Sequence, residues 1–235
     1  MSAQTGAAVR AIDLETTTLR EANALLHAPG EQRHWRIVNP RGRHSVAVGL
    51  DAEIEVDVEG HVGYYCAGMN QRAAVRVHGN CGVGVAENIM SGSVLVTGNA
   101  SQSVAASGRG GLVAIHGDAS ARCAISLKGA DVVVRGSVGH LSAFMAQKGT
   151  LVVCGDAGDA LGDSIYEARV YVRGEVASLG ADCVEKELGA EHAEQLAGLL
   201  EAAGIDDSDP GEFRRYGSAR TLYNFHPDDA RLPLG

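Results

Sequence analysis

Aromatic side chains are scarce in this chain: one Trp, six Tyr and three Phe among 235 residues, 4% of the total, against 31 Gly. That poverty argues against a thick globular core and favours narrow layers with small residues at their corners. Positive charge is not in excess either. Twenty Lys and Arg face 29 Asp and Glu for a formal net charge of −9, and no basic stripe is present, so binding to nucleic acid or to an anionic membrane surface is not expected. Apolar runs are strand-sized and broken by glycine, and the N-terminus lacks the charged and apolar pattern of a secretory leader. A cytoplasmic location is therefore expected.

Recognisable chemistry is also lacking. The five cysteines, Cys66, Cys81, Cys123, Cys154 and Cys183, form no C-x-x-C pair and no His–Cys cluster, which excludes a zinc or iron–sulfur layout. No phosphate-binding G-x-x-x-x-G-K-[ST] occurs, Gly108-Arg-Gly-Gly111 reads as a loop, and there is no serine nucleophile elbow. Asp156, Asp159 and Asp163 are close in sequence but read as turn residues bonding their own backbone. The expected set of catalytic, cofactor-binding and metal-ligating residues is accordingly empty.

What the chain does have is a repeat. The pattern apolar-x-apolar-x-Gly returns seven times between Val56 and Gly174, with closing glycines at 60, 79, 98, 117, 136, 155 and 174. Every interval is 19 residues, the mark of stacked supersecondary units. Seven residues after each glycine stands Ala67, Ala86, Ala105, Ala124, Ala143 or Gly162, a column that implies a crowded interior corner. Three residues after it come Gly63, Gly82, Ser101, Ser120, Gly139 and Gly158, where a sharp bend or close backbone approach is expected. One residue after it the chain is mostly polar and turn-forming, as in Asn80, Asn99, Asp118 and Asp156. Each period thus reads as strand, turn, short second strand, turn and loop. A period of 19 is too short for paired helices, and a leucine-rich repeat would need L-x-x-L-x-L and an Asn ladder, neither of which is read here. The expectation is an all-β fold, a single-stranded right-handed β-helix of about seven 19-residue coils. At about 4.8 Å per coil the rod would be roughly 34 Å long.

The ends are expected to differ from the middle. Residues 1–34 form an N-terminal segment in which residues 1–10 read as weakly held, Ile12–Leu14 as a strand, and Thr18-x-x-Glu21 as a capping box for a helix over 19–27 that covers the first coil. Residues 35–180 form the β-helix, beginning imperfectly with Arg36-Ile-Val-Asn39 placed one period before Val56–Glu59. Arg41, Arg43 and His44 form a small basic cluster there, a solvated turn or a contact for an acidic partner. In the remaining segment, 181–235, helical spacing of apolar residues predicts a helix over about 184–203 with Gly204 as its C-cap, capping the second end. A short helix from Pro210 to Gly217 follows, then a tail rich in apolar side chains, among them Tyr223 and Phe225, that packs along the rod or into another subunit and is expected to serve as an interaction arm. Along the rod, the outward column Glu59, His78, Thr97, His116, Arg135, Cys154 and Arg173 spaces its two histidines about 9.6 Å apart, too far to share a metal.

The period, as seen in Gly98-Asn-Ala-Ser101, Gly117-Asp-Ala-Ser120 and Gly155-Asp-Ala-Gly158, resembles the GXGXG β-helix domain of the glutamate synthase large subunit, a domain type found also in a formylmethanofuran dehydrogenase subunit. The stretch Arg215-Tyr-Gly-Ser-Ala-Arg-Thr-Leu-Tyr-Asn-Phe225 is similar to the end of free-standing members. The length and the two flanking segments look most like the GXGXG subunit of N-methylglutamate synthase. The resemblance implies a non-catalytic scaffold subunit in a cytoplasmic hetero-oligomer that converts methylamine and glutamate to N-methylglutamate and ammonia. Its implied partners are an amidotransferase-like subunit and a synthase subunit that carries FMN and an iron–sulfur cluster. No cofactor is expected on this chain. Two alternatives remain: the GXGXG subunit of another oxidoreductase, and a self-contained β-helix enzyme.

Overall fold

The computed structural model describes residues 8–220. Leu222, Tyr223, Phe225 and His226 of the expected interaction arm lie outside the described residues, as do residues 1–7. Eleven strands make one sheet. In chain order they are β1 (Arg10–Asp13), β2 (His34–Val38), β3 (Glu55–Glu59), β4 (Ala74–Val77), β5 (Ser93–Val96), β6 (Leu112–Ile115), β7 (Lys128–Val134), β8 (Lys148–Val153), β9 (Arg169–Val172), β10 (Cys183–Lys186) and β11 (Arg214–Ser218). Helix α1 (Leu19–His27) follows β1, and α2 (Ala190–Ala202) follows β10. From β1 to β9 neighbours pair in parallel and in sequence order, so the chain is a β-solenoid of about seven turns.

The repeat sets the register. Val56 pairs with Val75, Val75 with Val94 and Val94 with Val113, each 19 residues on, and these residues point inward to one continuous core. The first coil departs from the sequence reading. Trp35, and not Arg36, pairs with Val56, because side chains alternate along a strand and a slip of one residue would exchange the two faces. In the observed register Trp35 and Ile37 are buried while Arg36 stays outside. The Arg10 guanidinium lies 5.1 Å from the centroid of the Trp35 ring.

The expected short second strand is one residue long. Val62, Cys81, Ala100, Ala119, Val138, Ala157 and Val176 form single parallel bridges, coil to coil. Beyond each bridge the backbone turns by alternating into the left-handed region, as at Ser103, Ala105 and Ser107 with φ of 62°, 53° and 57°. Alternation sends successive N–H groups in opposite directions: Ser103 donates forward to Ala121 O, Ala105 back to Val85 O, and Ser107 forward to Ile125 O. Left-handed φ costs an L-residue about 1–2 kcal/mol, and the inter-coil bonds and burial offset it. The small-residue column is therefore the inward member of this corner, with Ala105 and Ala124 fully buried.

A side-chain ladder of mixed Asn, Asp and Ser acceptors, which the sequence reading did not include, runs beside the closing glycines. Asn80 Oδ1 accepts from Asn99 N–H, Asn99 Oδ1 from Asp118, Asp118 Oδ1 from Ser137, Ser137 Oγ from Asp156 and Asp156 Oδ1 from Glu175, all at 2.8–2.9 Å. Glycine is required alongside because a Cβ on Gly117 would sit 2.8 Å from the Gly98 carbonyl oxygen. Asn99→Ala should lower stability by about 1 kcal/mol, the value of one exposed-side hydrogen bond. Asn99→Asp keeps the acceptor and should be near neutral, as urea unfolding of the two variants would show.

Both ends are closed, by different means. Thr18 and Glu21 form the expected capping box, and α1 lies on the first coil, where Asn23 donates to Ser45 O at 2.9 Å and accepts from Ala47 N–H at 3.0 Å. At the other end β11 pairs antiparallel with β9 and β10 with β11, so this edge is covered by strands and not by α2. Residues 183–186 are β10, and of the helix expected from Pro210 to Gly217 a single turn at Pro210–Glu212 forms before residues 214–218 continue as β11. Gly204, at φ 70°, does end α2: Gly204 N–H donates to Glu201 O and Ile205 N–H to Leu200 O, a Schellman cap.

Candidate functional site

The outward face of the sheet is where the chain's charged and polar groups converge. Strand alternation places three rows of side chains there. The middle row runs from Arg36 through Asp57 and Arg76 and continues as Leu95, Ala114, Val133, Val152 and Tyr171. Helix α2 lies over the apolar part of this row, where Leu196 and Leu200 join Ala114, Val133, Val152, Tyr171 and Phe213 in a second buried cluster. This is the seat that the amphipathic stripe of α2 needs.

The outer row that contains the two histidines is part of the same contact. His116 Nε2 meets Ala203 O at 2.8 Å, Arg135 pairs with Asp207, and Arg173 Nη1 donates to Ser208 Oγ at 3.0 Å. His78 lies outside that contact, with Nε2 2.8 Å from Asp57 Oδ1. The row thus anchors the 203–208 segment instead of collecting a ligand. Asp156 accepts from the next coil's backbone, Asp159 from Ser178 Oγ at 3.1 Å, and Asp163 from Ser164 Oγ at 2.7 Å. The basic cluster is likewise used internally: Arg41 pairs with Glu15, Arg43 donates to Leu14 O, and His44 stacks on Tyr64 with ring centroids 4.5 Å apart.

One recess was not anticipated. Where α2 begins to cross β7–β9, a cleft of about 440 Å³ is lined by Asp131, Lys148, Thr150, Glu167, Arg169 and Gln195 with two glycines, Gly129 and Gly149. The register of β7 against β8 shifts between Lys128 and Asp131, with Gly129 and Gly149 at φ 141° and 102°, and such a bulge re-aims the side chains beside it. Gln195 ties the helix to the sheet: its Oε1 accepts from Arg169 Nη1 at 2.6 Å and Tyr171 Oη at 3.3 Å, while its Nε2 donates to Thr150 Oγ1 at 3.4 Å. Burial pushes the Asp131 carboxyl above its ordinary range, against a hydrogen bond from Thr150 that lowers it. One turn earlier on α2, the buried His192 Nδ1 has no partner among the described residues, and burial with the Arg215 and Arg169 charges lowers its pKa. The row Asp131, Thr150, Arg169 was visible in the sequence at 19-residue spacing. What the sequence did not show is that α2 would close over it.

The cleft offers charge and hydrogen bonds, and the one hydroxyl in its lining, that of Thr150, is 2% exposed. Among the described residues no group of three or more His, Cys, Asp and Glu is placed to hold a metal ion. The five thiols are free and buried, and only Cys66 and Cys81 lie side by side. Burial pushes Cys123 up to about 12 and Cys183 up to about 11. Cys81 is raised by its hydrogen bond with Cys66 and by burial. Cluster ligation needs converging thiolates, so these residues do not fit an iron–sulfur cluster.

Among the described residues, no helix is long and apolar enough to cross a membrane. No protein-family model matches the chain. Protein GlxC of Rhizobium meliloti (strain 1021) is 67% identical over 222 residues, which cover 93% of this chain and 97% of that protein. At that identity and coverage the chain belongs to the GlxC family.

Proposed function

We propose that this chain is the β-helix subunit of a glutamate-synthase-like complex and serves it as a scaffold without catalytic residues of its own. The observation that carries this reading is the unbroken backbone and side-chain ladder. From His61 to Glu175 it fixes the coils in one register, while His116, Arg135 and Arg173 in the row beside it anchor the 203–208 segment. A body of this kind is suited to hold other subunits at fixed separation. The repeat resembles the GXGXG domain, and the length and flanking segments resemble the GXGXG subunit of N-methylglutamate synthase; in such a complex the chain would join an amidotransferase-like subunit to a synthase subunit carrying FMN and an iron–sulfur cluster.

The test is affinity purification of the tagged chain from its native host, with identification of the co-eluting chains and an absorbance spectrum. Two partner subunits and a flavin spectrum are expected from the complex. The chain purified alone should be colourless and should form no N-methylglutamate from methylamine and glutamate. Turnover by the isolated chain would overturn the scaffold reading, and partners of another enzyme class would overturn the assignment of the complex.

A further inference from the structure

The tight corner of each coil forms a surface of its own. One residue per coil points inward there, as Ile89, Leu127 and Ile165 do, and its neighbours on either side stand outside. The outer positions stack in register: Met90 N–H donates to Asn70 O, Arg109 to Ile89 O, Lys128 to Gly108 O and Tyr166 to Ala146 O. Four of the eight large apolar residues exposed among the described ones lie on this corner, Met69, Met90, Met145 and Tyr166, each 43–45% exposed. Between them stand Arg109 and Lys128, both exposed. The ion pairs among the described residues are made by other cations. Read from the C-terminal end of the rod, the corner runs apolar, cationic, apolar.

The described chain ends beside it. Ala219 N–H donates to Asp182 O at 2.7 Å and Arg220 Nε to Asp182 Oδ2 at 2.9 Å, while Ser164 N–H donates to Ala181 O. Arg220 therefore leaves the rod one coil beyond Ser164 and Tyr166. The residues that follow, 221–235, carry Leu222, Tyr223 and Phe225, then Asp228 and Asp229 ahead of Arg231, then Leu232 and Leu234. That order, apolar, acidic, apolar, is complementary to the corner as met from its C-terminal end. Extended, the segment can reach roughly 50 Å. From the coil of Tyr166 to that of Met69 is five steps of about 4.8 Å, roughly 24 Å.

We propose that the corner is the docking surface for residues 221–235 of the same chain, which run back toward the N-terminal end with Asp228 and Asp229 opposite Lys128 and Arg109. The apolar residues on either side cover Tyr166 and Met145 near the exit, and Met90 and Met69 beyond. A full chain carrying both Lys128→Cys and Asp228→Cys, oxidised at low protein concentration, should form an internal disulfide detected by peptide mapping. In parallel, a chain ending at Arg220 should lose methionine to sulfoxide several-fold faster under peroxide at Met69, Met90 and Met145 than the full chain, since oxidation follows exposure. A disulfide found only between chains would assign the corner to the tail of a second copy. No disulfide, together with unchanged oxidation, would leave the segment to a partner subunit or to solvent. Either result overturns the proposal.

Discussion

Replacing Ala124 with leucine should cost the protein about 2–4 kcal/mol, combining overpacking of a filled core with a longer side chain forced into the left-handed region. Ala124 is fully buried, has φ 59°, and donates its N–H to Val104 O at 2.9 Å. Its neighbours above and below in the same row are Ala105 and Ala143, themselves buried and left-handed. Three extra carbons therefore have no room along the rod axis, and across it they meet the inward face of the sheet. For a chain of this size the melting temperature should fall by roughly 5–15 °C. Ala124→Gly is the informative control, because it relieves the left-handed strain while it removes a methyl group, two effects of about 1 kcal/mol that oppose each other. If Ala124→Leu melted like the parent, the column would not face the core and the description of the corner would be wrong.

How much of this was legible beforehand depends on which interactions repeat. The glycine and alanine columns recur every 19 residues, so the coil, its inward pairs and the small corner could be read directly. The left-handed alternation was hidden because Ser103, Ser107 and Arg122 are not residues that announce a positive φ, and inter-coil bonds override their local preference. The first coil was read one residue out of register because Trp35 and its partner Val56 are 21 residues apart instead of 19, and burial of Trp35 and Ile37 decides the pairing. Strand β11 was missed because Arg214–Ser218 pairs with residues far away in sequence and shows no periodicity of its own. The Asn99–Asp118–Ser137 ladder was overlooked because three residue types share one role, the side-chain acceptor for the next coil's N–H.

The seat of α2 was misplaced for a related reason, though a signal existed. The middle outward row changes from Asp57 and Arg76 to Leu95, Ala114, Val133, Val152 and Tyr171. A solvated sheet face would have stayed polar to its end. That change in character marks the area that a helix covers, and it places α2 on the face of the sheet and away from its end. The cleft around Asp131 and Arg169 exists only because of that placement, so it could not be assembled from the repeat alone.

The placement of α2 leads to the second large effect. Leu196 is fully buried and belongs to a cluster separate from the core inside the coils. Leu196→Asp would set an unpaired carboxylate against Val133 and Val152, and such a substitution costs about 3–5 kcal/mol when the charge finds no partner. Because the coil core does not pass through this cluster, that energy should be lost as undocking of α2 while the solenoid persists. Far-UV circular dichroism should keep its β signal. Limited proteolysis should cut newly within 187–210, and the exposed row from Leu95 to Val152 should bind a hydrophobic dye. Tyr171, whose hydroxyl reaches Gln195 at 3.3 Å, should report the loss as a change in near-UV signal. Collapse of the whole β signal in Leu196→Asp would mean that the outer face and the coil interior fold as one unit, and that α2 is required by the solenoid it covers.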